Sequence, residues 1–416
     1  MSKPAIMKNM WTTGIILLSL AFMPCAMAIE HNESSENDTK IVEKASDSQD
    51  SGKNNEVPLT AGYDKTDGNG FFIRSEDSQF RLNIGAYTQA RYNINWREAP
   101  VDEDDVTKEF SFVRTKLYFQ GQYTPLFDYH FRFNIDDEGG SDIMVAFLQY
   151  NMNNKWNLRI GKQFIATTRE DWMWGDDIMT TEFSAHDATF ALGVANGFQA
   201  HYQAKQQRFW LALSDGSAAA KAAASEEQSD LALSGRWEYQ LNGSDWSVWS
   251  DIIGRKGHSQ GVLLGLGGVY QFEKDQSTLD RIAQLNADIS FNGDGYQAIL
   301  ATSWTRHEPR AGNSYNNYGM LVQGGYFITD HTQIYAQYNL ISPGDQPGEL
   351  ETFHSIGAGI NYFPFAWTNR WKVSGEIAYM FDTLNKTIVA PSSSLGWLES
   401  DKAGQTYLRF QAQFGF

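Results

Sequence analysis

Apolar and polar residues alternate strictly along many segments of this chain. The last segment shows the pattern best, with apolar residues at every second position. One face carries Leu408, Phe410, Ala412, Phe414 and Phe416, and the other carries Tyr407, Arg409, Gln411, Gln413 and Gly415. The same alternation occurs in residues 79–97 and 129–136. Because successive side chains of a β-strand point to opposite sides, these segments are predicted to be strands with one apolar and one polar face.

The apolar faces could pack in the core of a soluble sandwich or lie against lipid. Lipid is favoured because the alternation recurs more often than one sandwich of ordinary size needs, and because aromatic residues gather towards the segment ends, as in the interfacial girdles of membrane barrels. We therefore predict an all-β chain that forms a transmembrane antiparallel β-barrel with long outer loops and short periplasmic turns. An arginine facing lipid at midplane costs about 2–4 kcal/mol. This cost places five arginines on the lumen side: Arg81, Arg91, Arg114, Arg132 and Arg409.

The number of strands follows from the spacing of long and short links. Seventeen segments fit a strand, whereas a bacterial single-chain barrel has an even number. Long links at 98–108, 165–186 and 216–228 follow odd-numbered strands. With seventeen strands, the long links after residue 261 would follow even-numbered strands instead. Omitting one segment, either 235–241 or 246–253, makes long and short links alternate along the whole chain and puts Thr329-Asp330 in a periplasmic turn. We expect sixteen strands, with eighteen as the alternative.

The N-terminus has the features of a secretory signal peptide. Lys3 and Lys8 precede an apolar run at residues 14–23 and the small-residue triplet Ala26-Met27-Ala28, which predicts cleavage after Ala28. A membrane anchor needs about 20 apolar residues, and this run is shorter. A lipoprotein is disfavoured because no small residue immediately precedes Cys25.

Composition narrows the class of the mature protein. Residues 1–28 hold two of the 33 basic residues and no acidic one, so 31 basic residues face 50 acidic ones and the formal charge becomes −19. This charge argues against duplex nucleic acid as a partner. No cysteine remains after cleavage, so disulfides and thiolate metal sites are excluded. Residues 29–61 are polar and without period, which predicts a disordered periplasmic leader before the barrel at 62–416.

Several short motifs resemble the phosphate-selective porin O/P family of outer-membrane porins. They are Gly70-Phe71-Phe72-Ile73-Arg74-Ser75, Phe112-Val113-Arg114-Thr115-Lys116-Leu117, Leu158-Arg159-Ile160-Gly161-Lys162-Gln163-Phe164, Leu192-Gly193-Val194, Ala287-Asp288, Gly324-Gly325-Tyr326-Phe327 and the final Phe416. The resemblance covers residues 62–416. It implies a sixteen-stranded barrel in a homotrimer, with the third outer loop, here 165–186, folded into the pore to constrict it. It also implies an arginine ladder and a lysine cluster that line the pore in members that take phosphate.

Two sets of charged residues are candidates for function. Because barrel closure makes the last strand a neighbour of the first, six basic residues are predicted to line one lumen wall, which would attract anions: Arg81, Arg91, Arg114, Lys116, Arg132 and Arg409. Five acids on the constriction loop are predicted to face that wall and set a transverse field: Glu170, Asp171, Asp176, Asp177 and Glu182. Alternatively, the basic residues are merely hydrated lumen side chains, and the acids are solvated or bind divalent cations beside lipopolysaccharide.

These observations predict a Gram-negative outer-membrane porin that passes small hydrophilic solutes or ions, including anions such as phosphate, by passive diffusion. A plugged barrel that serves as an adhesin or structural protein is the alternative. An outer-membrane hydrolase is disfavoured because the chain has no G-x-S-x-G elbow and no H-E-x-x-H pair. We expect no catalytic residue, cofactor or metal. The expected partners are outer-membrane lipid and lipopolysaccharide, the solutes, the barrel-assembly machinery through Phe416, and two further copies of the chain.

Overall fold

The computed structural model describes residues 57–64, 70–135, 140–216, 229–242, 245–273, 277–345, 348–392 and 396–416. The signal peptide predicted at 1–28 and all but the end of the predicted leader lie outside these ranges. Within them, the helices are too short and too polar to cross a membrane.

Nearly all of the described chain is β-structure. The strands are β1 Leu59–Asp64, β2 Gly70–Ser75, β3 Arg81–Trp96, β4 Val106–Thr124, β5 Phe127–Ile135, β6 Ser141–Asn151, β7 Trp156–Phe164, β8 Val194–Gln203, β9 Gln207–Ser214, β10 Ser229–Gln240, β11 Gly261–Glu273, β12 Leu279–Gly293, β13 Tyr296–Pro309, β14 Tyr315–Phe327, β15 Thr332–Ser342, β16 Phe353–Tyr362, β17 Lys372–Met380 and β18 Gln405–Gly415. The helices are α1 Ala185–Phe190 and the 3₁₀ turns Trp246–Trp249 and Leu384–Lys386.

Sixteen of these strands, β3 to β18, form a closed antiparallel barrel. Each pairs with its neighbour in sequence, and β18 closes the ring on β3 from Thr406 opposite Trp96 to Gly415 opposite Tyr87. The predicted count of sixteen is therefore confirmed. The other two strands form a hairpin outside the ring, in which β2 pairs with the first residues of β3. Closure leaves no unpaired edge along the ring, as a bilayer requires.

The ambiguous stretch after residue 234 resolves into one strand and one connector. Residues 235–240 belong to β10, which pairs with both β9 and β11. The segment at 246–253 begins with the 3₁₀ turn Trp246–Trp249, so it is the false strand. It resembles a strand because Trp246, Val248 and Ile252, which lie at alternating positions, are all buried inside the barrel.

The two ends of the barrel differ in their connections. The turn end holds residues 81 and 415 and connectors that include the two-residue turn Asp294-Gly295 and residues 328–331. The loop end holds connectors 97–105, 165–193 and 381–404. Gly295 has a φ of 82°, which side chains with a Cβ rarely adopt. Thr329-Asp330 lies at the turn end, as the sixteen-strand count predicts.

The alternation separates the outside of the barrel from its lumen. On β18, Phe410 and Phe414 are half exposed on the outside, whereas Arg409, Gln411 and Gln413 are buried on the inside. Aromatic rings form a belt at the turn end on both sides of the closing seam. Ring contacts of 5.2–6.0 Å connect Tyr63 to Phe71, Phe71 to Phe416, Trp371 to Phe414, and Phe365 to Trp367 and Trp371. Such a belt fits the boundary between lipid and water.

The outer face offers a first test of the barrel. Leu285 lies near the middle of β12 and is 61% exposed, so Leu285→Arg should lower the free energy of unfolding by about 2–4 kcal/mol in lipid. Val101 is 88% exposed in a loop-end connector. Val101→Arg should change the free energy of unfolding by less than about 0.5 kcal/mol. Urea unfolding in lipid vesicles measures both. Equal effects of the two substitutions would contradict the placement of Leu285 against lipid.

Candidate functional site

One loop-end connector fills the middle of the lumen. Residues 165–193, which we call the inner loop, follow β7, and all of them are buried except the half-buried Thr189. The inner loop ends in α1, which lies against β13, β14 and β15. The loop therefore crosses the lumen from one wall to the far wall.

Both ends of the inner loop are fixed by hydrogen bonds. At its neck, the Asp171 carboxylate accepts hydrogen bonds from the Thr167 hydroxyl at 2.8 Å and from the Gly193 backbone N–H at 3.0 Å. At its far end, Ser184 caps α1 by accepting from the Asp187 N–H. The His186 ring lies 2.8 Å from the Ser303 hydroxyl of β13. These contacts give the loop one defined path.

The inner loop meets the predicted basic wall through Glu182. Its carboxylate pairs with Arg114 and lies 3.1 Å from Arg91, and both arginines are buried. Arg91 also donates to the Thr181 carbonyl at 2.6 Å. Burial acts to raise the pKa of Glu182, but Arg114 and Arg91 outweigh it and hold that pKa at about 2. The loop and the wall are thus in direct contact, with no water layer between these charges.

Arg409 and Glu376 extend this contact to the closing strands. Arg409 donates to the Thr181 hydroxyl at 3.2 Å and lies 3.7 Å from Glu376. The Glu376 carboxylate also accepts from the Thr181 N–H at 3.0 Å. We call Arg91, Arg114, Arg409, Glu182 and Glu376 the first arginine cluster. Sequence reasoning missed Glu376, although it occupies an inward position of the alternation in β17.

The other three predicted wall residues lie elsewhere. The Arg132 guanidinium lies over the Trp174 ring, 3.0 Å from its centroid, so the inner loop contributes an aromatic partner instead of a carboxylate. Lys116 donates to Asn134 on the next strand. Arg81 pairs with Asp64 of the hairpin at 2.9 Å and does not join the cluster.

A second arginine cluster lies on another part of the wall, where sequence reasoning proposed no site. Arg236 pairs with Asp288 at 2.7 Å and with Glu238 at 2.8 Å, and Arg208 pairs with Glu238 at 2.6 Å. Arg236 also donates to the Thr167 carbonyl of the inner loop. Arg236 and Glu238, two positions apart on the inward face of β10, were the signal. It was overlooked because residues 235–241 were not securely assigned to a strand.

The remaining predicted acids act inside the loop or towards the turn end. Asp176 pairs with Arg370 at 2.5 Å, and Asp177 accepts from the Asn369 side chain at 2.7 Å. Both partners belong to the connector 363–371. Glu170 accepts a hydrogen bond from the Ser184 hydroxyl within the loop. Among the described residues, no group of three or more histidine, cysteine or acidic side chains is arranged to hold a metal ion.

The pKa values of the buried loop acids predict a pH dependence. Burial raises the pKa of both Glu170 and Asp171 to about 7, despite hydrogen bonds from Ser184 and Thr167 that lower it. The folded state therefore keeps protons that the unfolded chain releases above about pH 4.5. The contribution of each of these two groups to stability should fall as pH rises from about 4.5 to 7, by at most about 1.4 kcal/mol per pH unit. The buried His186, whose pKa burial lowers to about 4, contributes in the opposite direction below about pH 6.5.

Asp171→Asn should flatten this slope, because the amide cannot ionise, whereas Asp104→Asn on an exposed connector should leave it unchanged. Urea unfolding in detergent between pH 4.5 and 8 measures the slope. An identical slope in Asp171→Asn and the wild-type protein would contradict the assignment of a protonated Asp171 to the inner loop.

Connectors from the turn end reach into the lumen and contact the inner loop. The Ile252 N–H donates to the Asp177 carbonyl at 2.9 Å, and Arg169 donates to the Trp249 carbonyl at 2.8 Å. The backbone near Gly254 lies so close to Tyr296 that a Cβ at Gly254 would sit 2.5 Å from the Tyr296 carbonyl carbon. We call residues 245–260 and 363–371 the turn-end connectors. They contact the inner loop from the turn end of the barrel.

Between the inner loop and one wall, a small cavity of about 20 Å³ remains, which is room for about one water molecule. Thr180, Glu182 and Phe183 of the inner loop form one side. The other side consists of inward residues of β15 to β18, with Trp397 of the connector 381–404 above them. We call this space the wall cavity.

Comparison with known proteins supports the fold. No protein-family model matches the chain, and no curated protein matches it in sequence. OmpT, an outer-membrane protein of Vibrio cholerae solved in a trimer form, is 14% identical over 80% of this chain and 99% of its own, with a TM-score of 0.55. An anion-selective porin from Comamonas acidovorans is 11% identical over 80% of this chain and 100% of its own, with a TM-score of 0.54. OmpF of Salmonella typhi, solved with daunomycin, is 12% identical over 81% of this chain and 98% of its own, with a TM-score of 0.53. The barrel is thus of the type found in outer-membrane proteins.

Proposed function

We propose that this chain is an outer-membrane porin for passive diffusion of small hydrophilic solutes. The observation that carries the proposal is the inner loop, which crosses a closed sixteen-strand barrel whose inward face is polar and charged. A loop placed in this way narrows the lumen at mid-height. Residues 165–186, the predicted constriction, form most of that loop. In porins, pore-lining polar and charged side chains select the solutes that pass.

Anion preference, including preference for phosphate, is part of the proposal. Arg91, Arg114 and Arg409 face the lumen and meet the carboxylates of Glu182 and Glu376, while Arg132 packs on Trp174. Arginine binds phosphate and carboxylate alike through its planar fork. Membership of the phosphate-selective porin O/P family rests on the motif resemblance given above.

The setting of the pore is also proposed. The signal peptide at 1–28 would direct export, and the outward apolar face with its aromatic belt suits an outer membrane rich in lipopolysaccharide. The turn end would then face the periplasm. A homotrimer is supported by the family resemblance and by the barrel fold shared with a protein solved as a trimer. Phe416, hydrogen-bonded to Ala86 at the seam, would serve as the signal for the barrel-assembly machinery.

Conductance tests the proposal. The full chain, refolded and added to planar bilayers, should give discrete current steps, and the reversal potential in a salt gradient should indicate anion preference. Phosphate added against chloride should reduce the current if it binds the first arginine cluster. Absence of steps across several preparations would overturn the porin assignment, and cation preference would overturn the anion assignment alone.

A plugged barrel that acts through its outer loops is the second candidate. It is favoured by the extent of lumen filling, because the inner loop is almost wholly buried and the turn-end connectors pack beneath it. A silent bilayer together with specific binding of whole cells or matrix proteins to the loop end would support this candidate.

A further inference from the structure

Three carboxyl groups join the two legs of the inner loop. We call residues 165–171 the first leg and residues 184–193 the second leg. Each carboxyl group lies on one leg and accepts a hydrogen bond from the other. The three bonds run from the Gly193 N–H to Asp171, from the Ser184 hydroxyl to Glu170, and from the Thr168 hydroxyl to Asp187. These acids therefore fasten the neck of the loop.

The three acids are buried without an ion pair among the described residues. Glu170 is 2% exposed, and Asp171 and Asp187 are 0% exposed. Their hydrogen-bond donors are hydroxyls and backbone N–H groups. One side-chain oxygen of Glu170 and one of Asp187 are buried with no hydrogen-bond partner. Because a buried carboxylate needs a cation or a full set of donors, this arrangement suits the neutral, protonated acid.

The charged groups around the neck do not supply the missing cation. Arg169 attracts Glu170, but its guanidinium donates to the Trp249 carbonyl. Asp187 is repelled by the two other acids. The remaining titratable groups packed against the legs have partners of their own: Arg236 with Asp288 and Glu238, Glu182 with Arg91 and Arg114, and His186 with Ser303.

The protonation of these acids depends on whether the neck is closed. Burial raises the pKa of Glu170 and Asp171 to about 7, whereas a hydrated loop would ionise them above about pH 4.5. The ratio of open to closed loop should therefore rise by up to about tenfold per pH unit for each of the two between about pH 4.5 and 7. Burial and repulsion also raise the pKa of Asp187, which acts in the same direction. His186, whose pKa burial lowers to about 4, acts in the opposite direction below about pH 6.5.

We propose that Glu170, Asp171 and Asp187 are positioning residues that hold the inner loop across the lumen while they are protonated, and that their ionisation frees the second leg and widens the passage. The effect on transport rests on the proposed porin function. Once each carboxyl group has released its proton to solvent, the like charges at the neck repel one another and draw in water. Glu182 remains paired with Arg91 and Arg114, so the movement is confined to the neck and α1.

Single-channel recording of the refolded full chain from about pH 5 to 8 tests the effect on transport. In the wild-type protein, the time spent in a wide state relative to a narrow state should rise with pH. The triple variant Glu170→Gln/Asp171→Asn/Asp187→Asn keeps oxygens that accept the bridging hydrogen bonds but cannot ionise, so it should stay narrow. Asp187→Asn alone should make the rise shallower by up to about tenfold per pH unit. Asp104→Asn, on an exposed connector, should leave the rise unchanged.

Thiol labelling in detergent follows the same movement without a conducting pore. Residues 29–416 contain no cysteine, so Ala188→Cys in a Cys25→Ser background places a single thiol on α1, where Ala188 is 4% exposed. Val101→Cys, at a position that is 88% exposed, reports the intrinsic reactivity of a thiol at each pH. The labelling rate with a neutral maleimide at position 188, divided by the rate at position 101, should rise about tenfold or more from about pH 5 to 8. In the triple variant this ratio should stay constant.

The outcomes separate the movement from the porin function. A labelling ratio that is constant with pH in the otherwise wild-type chain would overturn the proposal, and so would an equal rise in the triple variant. If the triple variant does not unfold cooperatively in urea, Asp187→Asn replaces it, and a rise as steep as that of the wild type would then overturn the proposal. A pH-dependent ratio in a protein that is silent in bilayers would uphold the movement and overturn the porin function. Current steps with a constant ratio would do the reverse.

Discussion

Glu182→Gln is expected to destabilise the protein by about 3–5 kcal/mol, because it leaves Arg91 and Arg114 buried beside each other without their carboxylate. The amide keeps the size of the side chain and one oxygen acceptor, so the lost charge is the main change. The inner loop should also detach more easily from β3 and β4. Larger and noisier current steps, with a shift towards anions, should accompany the loss of stability.

Urea unfolding and single-channel recording of the same preparation measure these effects. Glu103→Gln is the matched control, because its ion pair with Arg97 has a half-exposed carboxylate and should contribute at most about 1 kcal/mol. Adding Arg114→Gln to Glu182→Gln should recover part of the stability, since it removes one of the two arginines that have lost their carboxylate. Equal effects of the Glu182 and Glu103 substitutions would refute the role of the cluster.

The same ion pair predicts resistance to acid. Because the folded pKa of Glu182 is depressed to about 2, its contribution is fully present above the ordinary value of about 4.5 and is lost as pH falls through 2. The wild-type protein should therefore approach the behaviour of Glu182→Gln only near pH 2. A transition of this kind at pH 4–5 would contradict the pairing.

The barrel could be predicted from sequence because the alternation of apolar and polar residues is visible within each single strand. Lipid on one side and a polar lumen on the other impose a period of two on every strand, and loop lengths alternate with the two ends. The exception was instructive. Trp246 and Val248 lie two positions apart, as on an apolar strand face, yet they are buried within the lumen in a cluster with Leu263. A period of two shows that a face is apolar without showing what covers it.

The candidate site was less accessible to sequence reasoning. The inward direction of Arg91, Arg114 and Arg409 follows from the alternation, but the acid that each one meets depends on contacts across the lumen. Glu182 is 91 residues from Arg91, and Asp176 is 194 residues from Arg370. Such pairings leave no periodic trace in a single sequence. The turn-end connectors were hidden for the same reason, because short turns were expected wherever the chain reversed at that end.

The turn-end connectors restrict the lumen through contacts that can be removed separately. Asp176 pairs with Arg370 of one connector, and the Asp177 carbonyl accepts from Ile252 of the other. Gln333 of β15 donates to the Ile253 carbonyl at 2.5 Å, which fixes the second connector to the wall. The inner loop is thus held by the first arginine cluster on one side and by these connectors beneath. If solutes pass the barrel, they must pass or displace the connectors.

Deleting residues 246–252 is therefore expected to raise single-channel conductance several-fold. The deletion removes the 3₁₀ turn and the Ile252 contact to the inner loop, while neighbouring strands β10 and β11 stay close enough for the shortened link to join them. Arg370→Gln should give a smaller rise, because it removes the ion pair with Asp176 but leaves the Ile252 contact to the inner loop in place. Lys256→Gln is the matched control, since its pair with Asp330 is exposed at the same end and should leave conductance unchanged. An unchanged conductance after the deletion, in protein that still unfolds cooperatively, would show that the connectors do not lie on the path of the ions.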